Sequence, residues 1–78
     1  MSLEEALVLI TVEPASEQQV LKALKEIKGI VEAHFLYGPY DIYIKIEAAD
    51  SQQLNHLVIE RIRNIPGIKS TMTCFIAD

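Results

Sequence analysis

From Leu7 to Val12 every residue is apolar or β-branched, the pattern of a strand buried on both faces. Pro14 ends the run. The period then changes: Val20, Leu24 and Ile27 fall on one helical stripe, with Leu21 and Ala23 at its edges. Ser16 and Gln19 stand ahead of that stripe at capping-box spacing, and Gly29 stops the helix. Between Ile30 and Tyr37 the chain alternates Val31, Ala33, Phe35 and Tyr37 with Glu32 and His34, and Ile42, Ile44 and Ile46 then alternate with Tyr43, Lys45 and Glu47. Period two means strand, and the short break at Gly38-Pro39 predicts that the two strands pair as an antiparallel hairpin. Asp50 and Gln53 repeat the cap, and Leu54, Leu57, Val58, Ile62 and Ile65 form a second helical stripe that Pro66-Gly67 ends. The last strand runs from Ile68 to Ala77, with Ile68, Met72, Cys74 and Ile76 on one face and Lys69, Thr71, Thr73 and Phe75 on the other.

Ile27-Lys28-Gly29-Ile30 and Ile65-Pro66-Gly67-Ile68 each close a helix and open a strand, so the chain reads as two βαβ units in one domain, residues 1–78. In the order β-α-β-β-α-β these units predict an α+β, ferredoxin-like fold, a four-stranded antiparallel sheet with two helices on one face. The first and third strands are then central, and the other face of the sheet has no helices. The first strand is apolar on both sides, Leu7, Leu9 and Thr11 on one and Val8, Ile10 and Val12 on the other. One set would meet water in a monomer. Tyr43, Phe35 or Leu36, and Phe75 add apolar area according to the facing of each strand. At roughly 25 cal/mol per Å², covering several such side chains is a large share of a small domain's stability, which predicts a two-fold homodimer through the open face. Ile59, about 140° around the second helix from Leu54, is a candidate contact between dimers.

Charge and composition exclude more than they assign. With net charge −4 and seven scattered Lys and Arg, there is no basic stripe for direct nucleic-acid binding. No apolar run approaches the ~20 residues of a membrane helix, and the start, Met1-Ser2-Leu3-Glu4-Glu5, is acidic where a signal peptide is basic; the expected place is the cytoplasm. Cys74 is the only cysteine and lies in an apolar run, where it reads as a small hydrophobe. His34 and His56 sit on different elements without metal-pair spacing. Glu60 and Arg61 read as a solvated helical face. No Gly-rich phosphate loop, GxSxG elbow or CxxC is present. The expectation is a non-enzymatic chain with no cofactor and no metal.

One stretch has chemistry. In Tyr37-Gly38-Pro39-Tyr40-Asp41, Gly38 allows a ligand close to the backbone and Pro39 makes the turn rigid. Asp41 adds a carboxylate at the hairpin mouth, flanked by the phenols of Tyr37 and Tyr40. A carboxylate beside exposed amides can satisfy both charges of a zwitterion, Asp41 taking the ammonium. On the residues alone the alternative, that Asp41 bonds only its own loop, stays open.

The Ile-Lys-Gly-Ile helix end, the hairpin Gly-Pro-Tyr-Asp-Ile-Tyr-Ile-Lys-Ile, the Ala-Ala-Asp cap and Ile-Pro-Gly-Ile-Lys-Ser-Thr-Met-Thr resemble the ligand-binding (RAM) domain of the Lrp/AsnC transcription regulators, from about Leu7 to Ile76. The resemblance implies a dimer through the sheets, further assembly as an octamer (a tetramer of dimers), and a small amino-acid effector held near the hairpin turn at a subunit boundary. Gly38, Tyr40 and Asp41 match the hairpin motif, with Asp41 holding the effector's amino group, and Thr71 and Thr73 match its Thr-x-Thr as hydroxyl contacts. Tyr37 and Pro39 depart from the usual residues, which bears on effector identity. Only six residues precede the first strand, where family regulators have a helix-turn-helix segment of roughly 50; the chain is expected to be the stand-alone version. The leading reading is an amino-acid-binding regulatory module that does not itself touch DNA. The alternatives are an interaction module that co-assembles with full-length Lrp/AsnC relatives and a small dimeric α+β-barrel enzyme.

Overall fold

The two βαβ halves are present in the computed structural model, which describes residues 3–77; Met1 and Ser2 of the acidic start, and Asp78, lie outside the described residues. The elements are β1 (Glu4–Val12), α1 (Glu17–Lys25), β2 (Ile30–Phe35), β3 (Ile42–Ala48), α2 (Ser51–Leu57) running on into a π-helical turn (Val58–Ile62), and β4 (Ile68–Phe75). All strand pairs are antiparallel, in the order β2-β3-β1-β4. This is the ferredoxin-like arrangement, with β1 and β3 central as the topology requires.

Alternation decides which side chains meet the helices. Ala6, Val8, Ile10 and Val12 of β1 and Ile42, Ile44 and Ile46 of β3 are buried with Val20 and Leu24 of α1 and with Leu54, Val58 and Ile62. The odd-numbered residues of β1 and β3 face the other way. Because opposed residues share a face, the register produces two rows across the open side, His34, Tyr43, Leu9, Met72 and then Glu32, Lys45, Leu7, Cys74. Tyr43 therefore joins the open face, and its ring stacks on His34 at 6.1 Å between centroids. Phe35 and Phe75 do not: they oppose Ile42 and Ala6 and stand on the helix side of the two edge strands. Lys45 Nζ pairs with Glu5 at 3.3 Å, and the hydrogen bond and then the charge of Glu5 hold its ammonium above the usual lysine value.

Four local expectations change. Glu4 and Glu5, placed before the first strand by the sequence pattern, are the first rungs of β1 opposite Ala48 and Glu47, and Glu5 holds its carboxylate against Lys45. Strand β2 stops at Phe35, and a register shift between Ile30 and Glu32 leaves Val31 exposed, as a β-bulge does. Ser16 makes no side-chain cap because its backbone is helical, φ −101° and ψ −1°, whereas Asp50 is extended and accepts the Gln53 N–H at 2.8 Å. The second helix widens at its end, where the Arg63 N–H reaches the Val58 carbonyl at 2.9 Å, an i→i+5 bond.

Gly67, at φ +100°, joins the second helix to β4, and a Cβ added there would stand 3.0 Å from both Ser16 Cβ and Val20 Cγ2. Strain and contact act together at this position. Gly67→Ala is expected to cost about 2–3 kcal/mol in urea unfolding. Gly38→Ala, where a Cβ meets nothing within 4 Å, should cost only the backbone part, about 1–2 kcal/mol.

Candidate functional site

The hairpin between β2 and β3 closes where the Leu36 N–H donates to the Asp41 carbonyl at 2.9 Å, leaving Tyr37, Gly38, Pro39 and Tyr40 as the loop. Strand β1 runs to Val12, two residues beyond the point where β3 begins at Ile42 opposite Ile10. The Val12 N–H therefore faces β3 with no β3 carbonyl to receive it. Asp41 fills that gap: its own N–H donates to the Ile10 carbonyl at 2.9 Å, and its Oδ2 accepts the Val12 N–H at 2.9 Å. The carboxylate is thus held in place by the neighbouring strand rather than by its own loop. Its second oxygen has no protein partner among the described residues.

Asp41 lines a groove of about 400 Å³ together with Glu17 and Gln18 from the first turn of α1 and Phe35, Leu36 and Tyr37 from the hairpin. Two carboxylates and no Lys or Arg line it, so the groove favours a cationic group. Phe35, Leu36 and Tyr37 are exposed and give it an apolar rim.

The six residues singled out in the sequence do not all converge within one chain. Tyr37 and Asp41 share the groove. Gly38 is at the open tip of the turn with φ +131°. Tyr40 leaves for the open sheet face, where its hydroxyl donates to Met72 Sδ at 3.5 Å. Thr71 and Thr73 oppose Ile10 and Val8, which places them on the helix side of the edge strand β4, two strands or about 10 Å from β3. Glu17 and Gln18 were not singled out; nothing local marks them, because the fold alone brings them to the turn. Among the described residues no group of three or more His, Cys, Asp or Glu is arranged to hold a metal, and no helix is long and apolar enough to cross a membrane.

Comparison with known proteins places this geometry. The model of the Lrp/AsnC ligand-binding domain matches residues 5–78. An uncharacterised HTH-type transcriptional regulator of Pyrococcus furiosus is 35% identical over 71 residues, covering 87% of this chain and 47% of the regulator. The chain thus spans about half the length of the curated regulators it matches. A homocitrate synthase of Sulfolobus acidocaldarius is 44% identical over 57 residues, covering 73% of this chain and 12% of that protein. In the crystal structure of FFRP-DM1 the same fold recurs with a TM-score of 0.91 and 28% identity, over 95% of this chain and 99% of that one. With its hairpin motif, its ferredoxin-like sheet and a family match over nearly all of its length, the chain belongs to the Lrp/AsnC ligand-binding domain family, a regulatory effector-binding domain.

Proposed function

We propose that the domain binds a free amino acid at the hairpin turn, at a boundary between subunits of a homo-oligomer, and acts in the regulation of transcription or amino-acid metabolism without contacting DNA itself. The carrying observation is the anchored carboxylate of Asp41, with one oxygen on the Val12 N–H and the other open to a groove that Glu17 also lines. Such a group takes an ammonium without having to be ordered first. Lys and Arg are absent from the lining, so the partner for the effector's carboxylate is assigned to the turn's own amides and to a neighbouring subunit. The hydroxyls of Thr71 and Thr73 are candidates for that second half in the oligomer, since they are half-exposed at the edge of the sheet. Calorimetric titration with each of the twenty amino acids should find at least one that binds at or below millimolar concentration. Twenty flat titrations at that concentration would remove the reading.

A second reading has its own observation. The 44% identity to a segment of a homocitrate synthase exceeds the 35% to a regulator, which favours a domain whose ligand response can be coupled to an enzyme as well as to a DNA-binding segment. Under this reading, adding the domain to a purified synthase of that type changes the enzyme's response to the amino acid found by calorimetry. An identical response with and without the domain would leave only the regulator reading.

A further inference from the structure

At the opposite end of β3 from Asp41, about 20 Å away along the strand, a groove of about 460 Å³ lies between the turn after α1 and the second helix. Lys28, Gln53, His56 and Arg61 line it, with Glu47 at its floor. Glu47 opposes Glu5 in the register, so its side chain leaves from the open sheet face, on the side of Lys45. Its main chain meets the groove's edge at Gly29, the Glu47 N–H donating to the Gly29 carbonyl at 2.9 Å. Among the described residues the ion pairs are Lys45 with Glu5 and His34 with Glu32. Lys28 and Arg61 therefore bring two unpaired positive charges to one concave surface, in a chain whose net charge is −4.

The π-helical turn bears independently on the same groove. Residues five apart on an α-helix point about 140° away from each other, which would send Arg61 off the face that carries His56. Arg61 lies inside the turn that the i→i+5 bond from the Arg63 N–H to the Val58 carbonyl widens by one residue, and it lines the same groove as His56. Single π turns inside helices often sit at functional sites because they re-aim a side chain in this way.

We propose that this groove is a second ligand site, distinct from the hairpin site and independent of it, for a small anion with two or more negative charges. Arg61 supplies a fork that matches a carboxylate or phosphoryl group, Lys28 a point charge from the facing turn, and Gln53 and His56 side-chain hydrogen bonds. Phosphoryl and polycarboxylate compounds share this chemistry.

The test is a heteronuclear NMR titration of the whole chain with orthophosphate and, separately, with citrate, the ionic strength held constant with sodium chloride. Saturable shifts of the Gly29, Gln53, His56 and Arg61 amides are expected with one anion or both. A response to orthophosphate alone identifies a phosphoryl ligand, and a response to citrate alone a polycarboxylate. Lys28→Gln and Arg61→Gln should each weaken the apparent affinity about tenfold or more, as loss of a charge-assisted contact does. Arg61→Lys should keep part of it. Both side chains are exposed, so thermal unfolding of the variants should match the parent chain. No shift beyond the chloride control, or undiminished shifts in both glutamine variants, overturns the proposal.

Discussion

Leu9→Asp is expected to turn a dimer into a folded monomer. Leu9 lies between Tyr43 and Met72 in one row of the open face, and Leu7 and Cys74 lie in the next. No helix covers these side chains, and Met72 is 48% exposed in the single chain. The rim of this surface is polar: Thr11 and Ser70 share a hydrogen bond at one end and Lys45 pairs with Glu5 at the other. An apolar centre with a polar rim is the anatomy of a protein interface, and a two-fold axis would bring the same patch of a second copy against it. Removing each leucine from that contact forfeits about 1.5–3 kcal/mol, and two carboxylates would enter the interface without partners. The dissociation constant should rise by a factor of about 1,000 or more. The monomer should survive, because Leu9 does not belong to the core cluster and strand propensity differs by ~1 kcal/mol at most. Sedimentation equilibrium checks the mass. The midpoint of thermal unfolding should depend on protein concentration for the parent chain and not for the variant. A parent chain that sediments as a monomer at the concentration used for the variant, or a variant that stays dimeric, would sink the interface.

The parts of this fold that the sequence displays are those governed by period. The two-sided apolar character of β1, the alternation in β3 and the helical stripes place the sheet, the helices and the open face, because each depends only on neighbours along the chain. What escapes is set by register. Val31 continues the alternation of β2 in sequence, and only its pairing with β3 reveals the bulge. Thr71, Met72 and Thr73 alternate visibly, yet which of them faces the helices follows from Ile10 lying opposite Thr71. The site divides in the same way. Tyr37 and Asp41 are legible because a single turn carries both, whereas Glu17 and Gln18 arrive through the packing of α1 on the sheet. The tie between Asp41 and Val12 requires knowing that β1 overruns the start of β3. Arg61 likewise reads as part of a solvated helical face, and only the fold shows that it shares a groove with His56.

That tie to Val12 makes the choice of substitution at Asp41 decisive. In Asp41→Ala the part-buried Val12 N–H loses its acceptor, which should cost about 1–3 kcal/mol of stability. Lost amino-acid binding in that variant would therefore mix the chemistry of the site with the integrity of the sheet end. Asp41→Asn separates them. Its amide oxygen can still accept from Val12 while the negative charge is gone, so the bond weakens from charge-assisted to neutral and the cost should stay within about 1 kcal/mol. Affinity for the amino acid should nonetheless fall about tenfold or more, because the ammonium loses its counter-charge. Urea unfolding and calorimetry on the two variants give four numbers, and the expected pattern is binding lost in both with stability lost only in the alanine. Full affinity in Asp41→Asn would remove the carboxylate from ligand recognition and leave it a purely structural strut. An Asp41→Ala chain as stable as its parent would instead show that water replaces the carboxylate at Val12. With the expected pattern, the same side chain closes the sheet end and presents the ligand's counter-charge, and its geometry is fixed before any ligand arrives.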